Sequence, residues 1–204
     1  MYVADLGLIG YEGKGRGKIA NEIYREVIPR YLTSVLQMCL EKSTKDNAYH
    51  SPEGRLSLHE LLKGFQQYYR KNDGVLSKRT QYEEAARELL LQLWLHRFVN
   101  GSGSIRRQYA LGRGRVDLMV LNNYEQNGRR SVQRFLVKIK VVHAKWSVET
   151  TVAKGLIQIA KYGTVCHAEE VHLVVFNPKE KDWEKRIYVK ECVENGKTVM
   201  VWGV

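Results

Sequence analysis

Two apolar runs separated by a polar loop constrain the fold more than any other part of this chain. The runs extend from Val116 to Leu121 and from Phe135 to Val142, and both have the length and β-branched content of strands. The loop between them is rich in Asn, Gly and Arg, which are residues typical of connections rather than of strand interiors. This pattern predicts two paired strands.

Charged side chains interrupt both runs. Period-two alternation places on one face of the second run Leu136, Lys138, Lys140 and Val142. Asp117 is the only acid in the first run, where it stands between Val116 and Leu118. A lone carboxylate in such a position is costly to bury without a partner or a metal. The paired strands therefore predict a charged site built around Asp117.

An acid on one strand, followed on the next by an acid, an apolar residue and a lysine, is the pattern of the PD-(D/E)XK nuclease superfamily, which this chain resembles. The segments GRGRVDLMV, FLVKIKV, GLIQIAKY, HLVVF and DWEKRI are similar in particular to the nuclease-like domain appended to a group of prokaryotic AAA-type ATPases. The resemblance implies an α/β (α+β) fold. Its core would be restriction-endonuclease-like, αβββαβ, with a mixed sheet flanked by helices.

The resemblance also implies a set of site residues. Glu84 and Asp117 would be the ligands of Mg²⁺ or Mn²⁺, which are hard cations that carboxylates bind. Lys140 would lower the pKa of the attacking water and bind phosphate, and Gln158 would orient water or substrate. Glu84 is free for such a role, because Glu83 has the spacing to cap the helix start with Thr80.

Lys138 departs from the superfamily pattern, which has Asp or Glu at this position. A unit charge pair at 4 Å is worth about 4 kcal/mol at an effective dielectric near 20, and about 1.4 kcal/mol is tenfold in affinity. We therefore expect metal affinity to fall at least about a thousandfold. Three arrangements are open. The ammonium lies between Glu84 and Asp117 in place of the cation, it swings away and a metal enters with water, or the lysine is a substitution of an active parent.

Basic residues are concentrated around the central strands. The formal charge is +11 and the pI is near 9.6, which favours a polyanionic partner such as DNA. Between residues 106 and 134, seven arginines stand against two acids. Candidate nucleic-acid-binding residues are Arg106, Arg107, Arg113, Arg115, Arg129 and Arg130.

Apolar periodicity predicts the remaining elements. Helices are predicted at Asn21–Leu40, Ser57–Tyr69, Tyr82–Phe98 and about Thr150–Tyr162; further strands are predicted at Ser104–Leu111, Val171–Phe176, Arg186–Lys190 and Lys197–Trp202, the last two as edge strands. The predicted domains are a helical N-terminal subdomain, 1–75, and a nuclease-like domain, 76–204. By the resemblance, residues 1–75 would be the tail of an AAA-type ATPase module.

The sequence leaves three functions open. The first is a metal-dependent DNA endonuclease, which Lys138 impairs in this chain. Such an endonuclease could also select for DNA structure. The second is a nucleic-acid binder without cleavage, and the third is a module that docks to an AAA-type ATPase. The three scattered cysteines lack a CxxC pair, and no apolar stretch approaches the ~18 residues that span a bilayer. We therefore expect a cytoplasmic protein with no membrane partner, and the oligomeric state stays open, a dimer included.

Overall fold

The computed structural model describes the backbone of residues 9–12, 16–19, 49–76, 83–99, 103–111, 114–143 and 145–204, and the side chains of residues 49–72, 87–99, 103–107, 116–143 and 145–204. Its contacts divide the chain into two units, 1–44 and 45–204. In the first unit, β1 (Ile9–Glu12) pairs antiparallel with β2 (Arg16–Ile19). The helix predicted at Asn21–Leu40 lies outside the described residues.

The second unit alternates helices and strands around one sheet. Its elements are α1 (Leu58–Leu76), α2 (Glu83–Val99), β3 (Gly103–Leu111), β4 (Gly114–Gln126), β5 (Arg129–Val141), α3 (Val148–Val165), β6 (Glu170–Phe176), α4 (Trp183–Arg186), β7 (Tyr188–Glu194) and β8 (Lys197–Gly203). No helix in the described part of the chain has the length and apolar composition needed to cross a bilayer.

The six strands form a mixed sheet in the order β3-β4-β5-β6-β8-β7. Neighbouring strands run antiparallel from β3 to β5, parallel from β5 through β6 to β8, and antiparallel again between β8 and β7. From α2 to β6 the element order is αβββαβ, as predicted. The prediction that Lys197–Trp202 is an edge strand is wrong, because β8 lies between β6 and β7, and its Val199, Val201 and Trp202 are buried.

The central hairpin is longer than the apolar runs alone predict. β4 continues to Gln126 and β5 begins at Arg129, so that only Asn127 and Gly128 connect them. Both turn residues have positive φ, at 52° and 72°. An Asn-Gly pair tolerates this conformation and matches the twist of two antiparallel strands. Most of the predicted polar loop is therefore strand, and its arginines lie on the arms of the hairpin.

Helices cover both faces of the sheet. On one face α3 packs over a cluster that includes Leu136, Leu173 and Val201. On the other face, Phe65 of α1 lies 6.1 Å from Phe176 of β6, measured between ring centroids, and 6.2 Å from Trp94 of α2. Burial of large apolar side chains on both faces supplies most of the free energy that holds such layers together.

The predicted domain boundary after residue 75 falls inside the second unit, because α1 is packed against the sheet. His59 contacts the buried Trp202 ring, with 4.8 Å between centroids. Gln66 is buried, and its Nε2 donates to the Gly203 carbonyl at 2.7 Å and to the Tyr188 carbonyl at 3.0 Å. The contacts divide the chain near residue 45 instead.

Gln133 ties the segment before α1 to the hairpin, and its replacement tests that tie. Its buried amide accepts from Leu56 N at 2.8 Å and from Asn122 Nδ2 at 2.9 Å, and donates to the Leu56 carbonyl at 3.3 Å. Gln133→Ala leaves buried donors unsatisfied, so we expect the free energy of unfolding in urea to fall by about 2–3 kcal/mol. Gln126→Ala, on the exposed hairpin tip, is the matched control. Equal stability of the two variants would contradict this account.

Candidate functional site

An ion pair between adjacent strands stands at the centre of the candidate site. Lys138 Nζ of β5 donates to Asp117 Oδ1 of β4 at 2.7 Å, and the Ile139 backbone N–H donates to Asp117 Oδ2, also at 2.7 Å. The Lys138 and Asp117 side chains are only 13% and 22% exposed. The cost of enclosing the Asp117 carboxylate is thus offset by a charged partner and a backbone donor.

A cavity of about 250 Å³ opens beside this ion pair. Two central strands, two helices and the loop before α3 all contribute to it. Its lining includes Glu88, Asp117, Lys138, Lys140, His143, Trp146 and Lys154. Among the described lining residues, three ammonium groups stand beside two carboxylates, a balance that favours an anionic ligand.

Glu88 of α2 is an acid that lines the cavity. Its Oε1 lies 3.6 Å from Arg107 Nη2 of β3. Burial raises the pKa of the Glu88 carboxyl above its usual range, and the Asp117 charge raises it further, against the opposing effects of Arg107 and Lys138. The sequence prediction named Glu84, one helical turn earlier. Its backbone lies in the first turn of α2, but its side chain is outside the described residues.

The other predicted catalytic residues fall into two groups. The structure brings Asp117, Lys138 and Lys140 together at the cavity. Gln158 is exposed on α3 and is not among the lining residues; α3 instead contributes Thr151 and Lys154 from its first two turns. Helical periodicity puts residues four apart on one face but does not say which turn reaches the sheet edge.

The four predicted nucleic-acid-binding arginines whose side chains the structure describes lie in two separate places. Arg106 and Arg107 are exposed on β3, and Arg107 lies beside Glu88. Arg129 and Arg130 are exposed at the start of β5. Arg129 precedes Lys138 by nine residues, which is about 30 Å along a strand. Arg113 lies outside the described residues, as does the side chain of Arg115.

The side chains that the structure describes do not form a site for a divalent metal ion. Within the described residues, no group of three or more His, Cys, Asp or Glu is placed to hold one. Both Asp117 oxygens already accept hydrogen bonds, one of them from an ammonium group. Mg²⁺ prefers several oxygen ligands in octahedral geometry. Of the three arrangements open from the sequence, Lys138 swinging away is not the one observed.

The similarity of this chain to known proteins is structural. No protein-family model matches the chain, and no curated protein matches it. Among solved structures it is similar to the DNA modification-dependent restriction endonuclease AspBHI, with 16% sequence identity and a TM-score of 0.31. The match covers 79% of this chain and 36% of that one, so the chain spans about a third of the endonuclease's length. A likeness at this level does not establish a shared activity.

The raised pKa of Glu88 makes stability depend on pH with a definite sign. A carboxyl whose pKa is higher in the folded state favours folding while it is protonated, so its contribution is lost as the pH rises from the ordinary value of about 4.3 through the raised one. We expect Glu88→Gln to gain stability relative to the native chain over a pH series that rises from about 4.3, measured by urea unfolding. Glu125→Gln, on the exposed hairpin, controls for the loss of a carboxylate. A constant difference across this range would contradict the assignment.

Proposed function

We propose that this chain is a nuclease-like DNA-binding domain of the PD-(D/E)XK type that holds the phosphodiester backbone and in which metal-dependent hydrolysis is impaired. The observation that carries the proposal is the 2.7 Å contact between Lys138 Nζ and Asp117 Oδ1. An ammonium group thereby stands against the carboxylate that would otherwise be available to a cation. The same cavity offers lysines to a phosphate.

Charge supports a polyanionic ligand. Lys140 and Lys154 line the cavity with Lys138, and the chain carries a formal charge of +11. A lysine ammonium is a compact point charge with three donors, which suits a phosphate oxygen. A positive protein surface attracts nucleic acid by releasing its counterions, independently of base sequence.

Electrostatics support impaired metal binding. A divalent ion bound at Asp117 would lie close to the Lys138 ammonium, which donates to that carboxylate. Each unit charge pair at about 4 Å is worth about 4 kcal/mol at an effective dielectric near 20, and the ion carries two charges. At equal separations this repulsion cancels the attraction of the single Asp117 carboxylate, so little electrostatic free energy remains to bind the ion.

Lys138→Glu tests this reading. The variant exchanges the ammonium for a second carboxylate beside Asp117, so we expect Mg²⁺ or Mn²⁺ affinity, measured by calorimetry, to rise at least about a thousandfold. We also expect the variant to cleave plasmid or branched DNA when Mg²⁺ or Mn²⁺ is added, with the native chain far less active.

Two further variants control this experiment. Lys138→Gln removes the ammonium without adding an acid, so it separates the loss of a positive charge from the gain of a ligand. In the double variant Lys138→Glu, Asp117→Asn, the new Glu side chain has no second carboxylate beside it. We therefore expect the double variant to bind metal weakly. Circular dichroism establishes that each variant is folded. If a folded Lys138→Glu protein neither binds metal more tightly nor cuts DNA, the nuclease part of the proposal is wrong.

The hairpin arginines provide a test of the DNA interface. Arg129 and Arg130 are exposed at the tip of the β4–β5 hairpin. If both contact phosphates, replacing both by Gln should reduce the slope of log affinity against log salt by about two, because each phosphate contact in duplex DNA contributes about 0.9. Fluorescence anisotropy over a salt series measures this slope. An unchanged slope would place the hairpin tip outside the interface. If the affinity of the native chain for DNA does not change with salt, the proposed binding through phosphates is wrong.

Two finer parts of the assignment stay predictions. An AAA-type ATPase partner would dock through residues 1–75, most of which lie outside the described residues. Dimer formation is likewise a prediction, and size-exclusion chromatography with light scattering measures it directly.

A further inference from the structure

Trp146 is an aromatic side chain on the rim of the cavity and is 43% exposed. Trp94 and Trp202, in contrast, are buried in the core. In the described part of the chain, Trp146 is the only aromatic residue among the exposed large apolar side chains; the others are Val132, Ile157, Val165, Val189 and Val193. Exposing an indole costs hydrophobic free energy, so a rigidly held, exposed Trp beside a charged cavity suggests a ligand.

The backbone around Trp146 is fixed by contacts on both sides. The Trp146 N–H donates to the His143 carbonyl at 3.1 Å, and its own carbonyl accepts from Lys179 Nζ at 3.1 Å. The next residue, Ser147, caps α3 by accepting from the Thr150 N–H at 3.2 Å. These hydrogen bonds hold the backbone that presents the ring, which lowers the ordering that a ligand must impose on it.

A lysine accompanies the ring. Lys154 Nζ lies 3.2 Å from the centroid of Trp146, in a cation–π contact, and Lys154 also lines the cavity. Trp146 is nonetheless 43% exposed, so part of its surface is open to a ligand. An aromatic surface with a neighbouring ammonium matches the two parts of a nucleotide, since the base stacks on the ring and the phosphate meets the cation.

We propose that Trp146 is a stacking platform for an unpaired nucleobase of DNA, with Lys154 holding the adjacent phosphate. This rests on the proposed DNA-binding function and specifies its substrate class. A base inside a duplex is already stacked on both sides, so only an unpaired or extruded base offers a face to a protein ring. The protein consequently prefers DNA that carries an unpaired base.

The test compares three short DNAs by fluorescence anisotropy: a duplex with one bulged base, the same duplex with an abasic site in the bulge, and a fully paired duplex. Stacking on an aromatic side chain is worth about 1–3 kcal/mol per base, which is about 5- to 150-fold in affinity. We expect Trp146→Ala to weaken binding of the bulged duplex by a factor in this range and to leave the fully paired duplex unchanged. Trp146→Phe should retain most of the affinity.

Two controls make the effect specific. Ile157→Ala removes an exposed apolar side chain from α3 that does not line the cavity, and should change nothing. The abasic bulge should bind the native chain as weakly as Trp146→Ala binds the bulged duplex, with no further loss when both changes are combined, because they remove one shared contact. If Trp146→Ala fails to fold, comparing the affinity of the native chain for the bulged duplex and for the abasic bulge still measures the contribution of the base.

The outcomes separate the two proposals. If the native chain binds all three DNAs equally, or if Trp146→Ala weakens all of them alike, the stacking platform is wrong while DNA binding stands. If the native chain binds none of them, the proposed function itself is wrong.

Discussion

The ion pair between Lys138 and Asp117 is the interaction on which the rest of the site depends. It joins adjacent strands in the middle of the sheet, where Leu118 of β4 is opposite Val137 of β5. A slip of one residue would bring the carboxylate opposite an apolar neighbour and turn every side chain to the other face. Removing one partner would leave a poorly solvated charge, which typically costs about 3–5 kcal/mol for a buried pair. The pair therefore specifies the strand register as well as the chemistry of the cavity.

An ammonium group in this place changes what the scaffold can do. A divalent ion polarises a phosphoryl oxygen and generates a nucleophile from water near neutral pH. A lysine supplies hydrogen bonds and a single positive charge, which suffice to hold a phosphate. The Asp117 carboxylate is already satisfied by Lys138 and the Ile139 amide. Under the proposed function, this arrangement would favour holding a phosphodiester over cleaving it.

Sequence periodicity predicted the strands well, and it carries less information about which helix residues contact the sheet. Alternation and hairpin pairing are local, so they brought Asp117, Lys138 and Lys140 to one cavity. Which turn of a helix reaches that cavity depends on packing between distant elements, and α2 brings Glu88 there. The Asn127-Gly128 turn was present in the sequence, and its composition could have shown the full hairpin length. The sequence does not show the interior position of β8 in the same way, because the order of strands in a sheet depends on how the chain crosses between them.

The distribution of positive charge argues for an extended ligand over a small anion. Lys138 and the hairpin arginines lie about 30 Å apart along β5, far beyond the reach of one phosphate group. Phosphates follow one another at about 3.4 Å along each strand of duplex DNA, so this separation corresponds to about nine of them. A small anion would use only the cavity and leave the hairpin tip without a role. The nucleic acid of the proposed function would use both, because its backbone could contact the hairpin while one nucleotide entered the cavity beside Trp146.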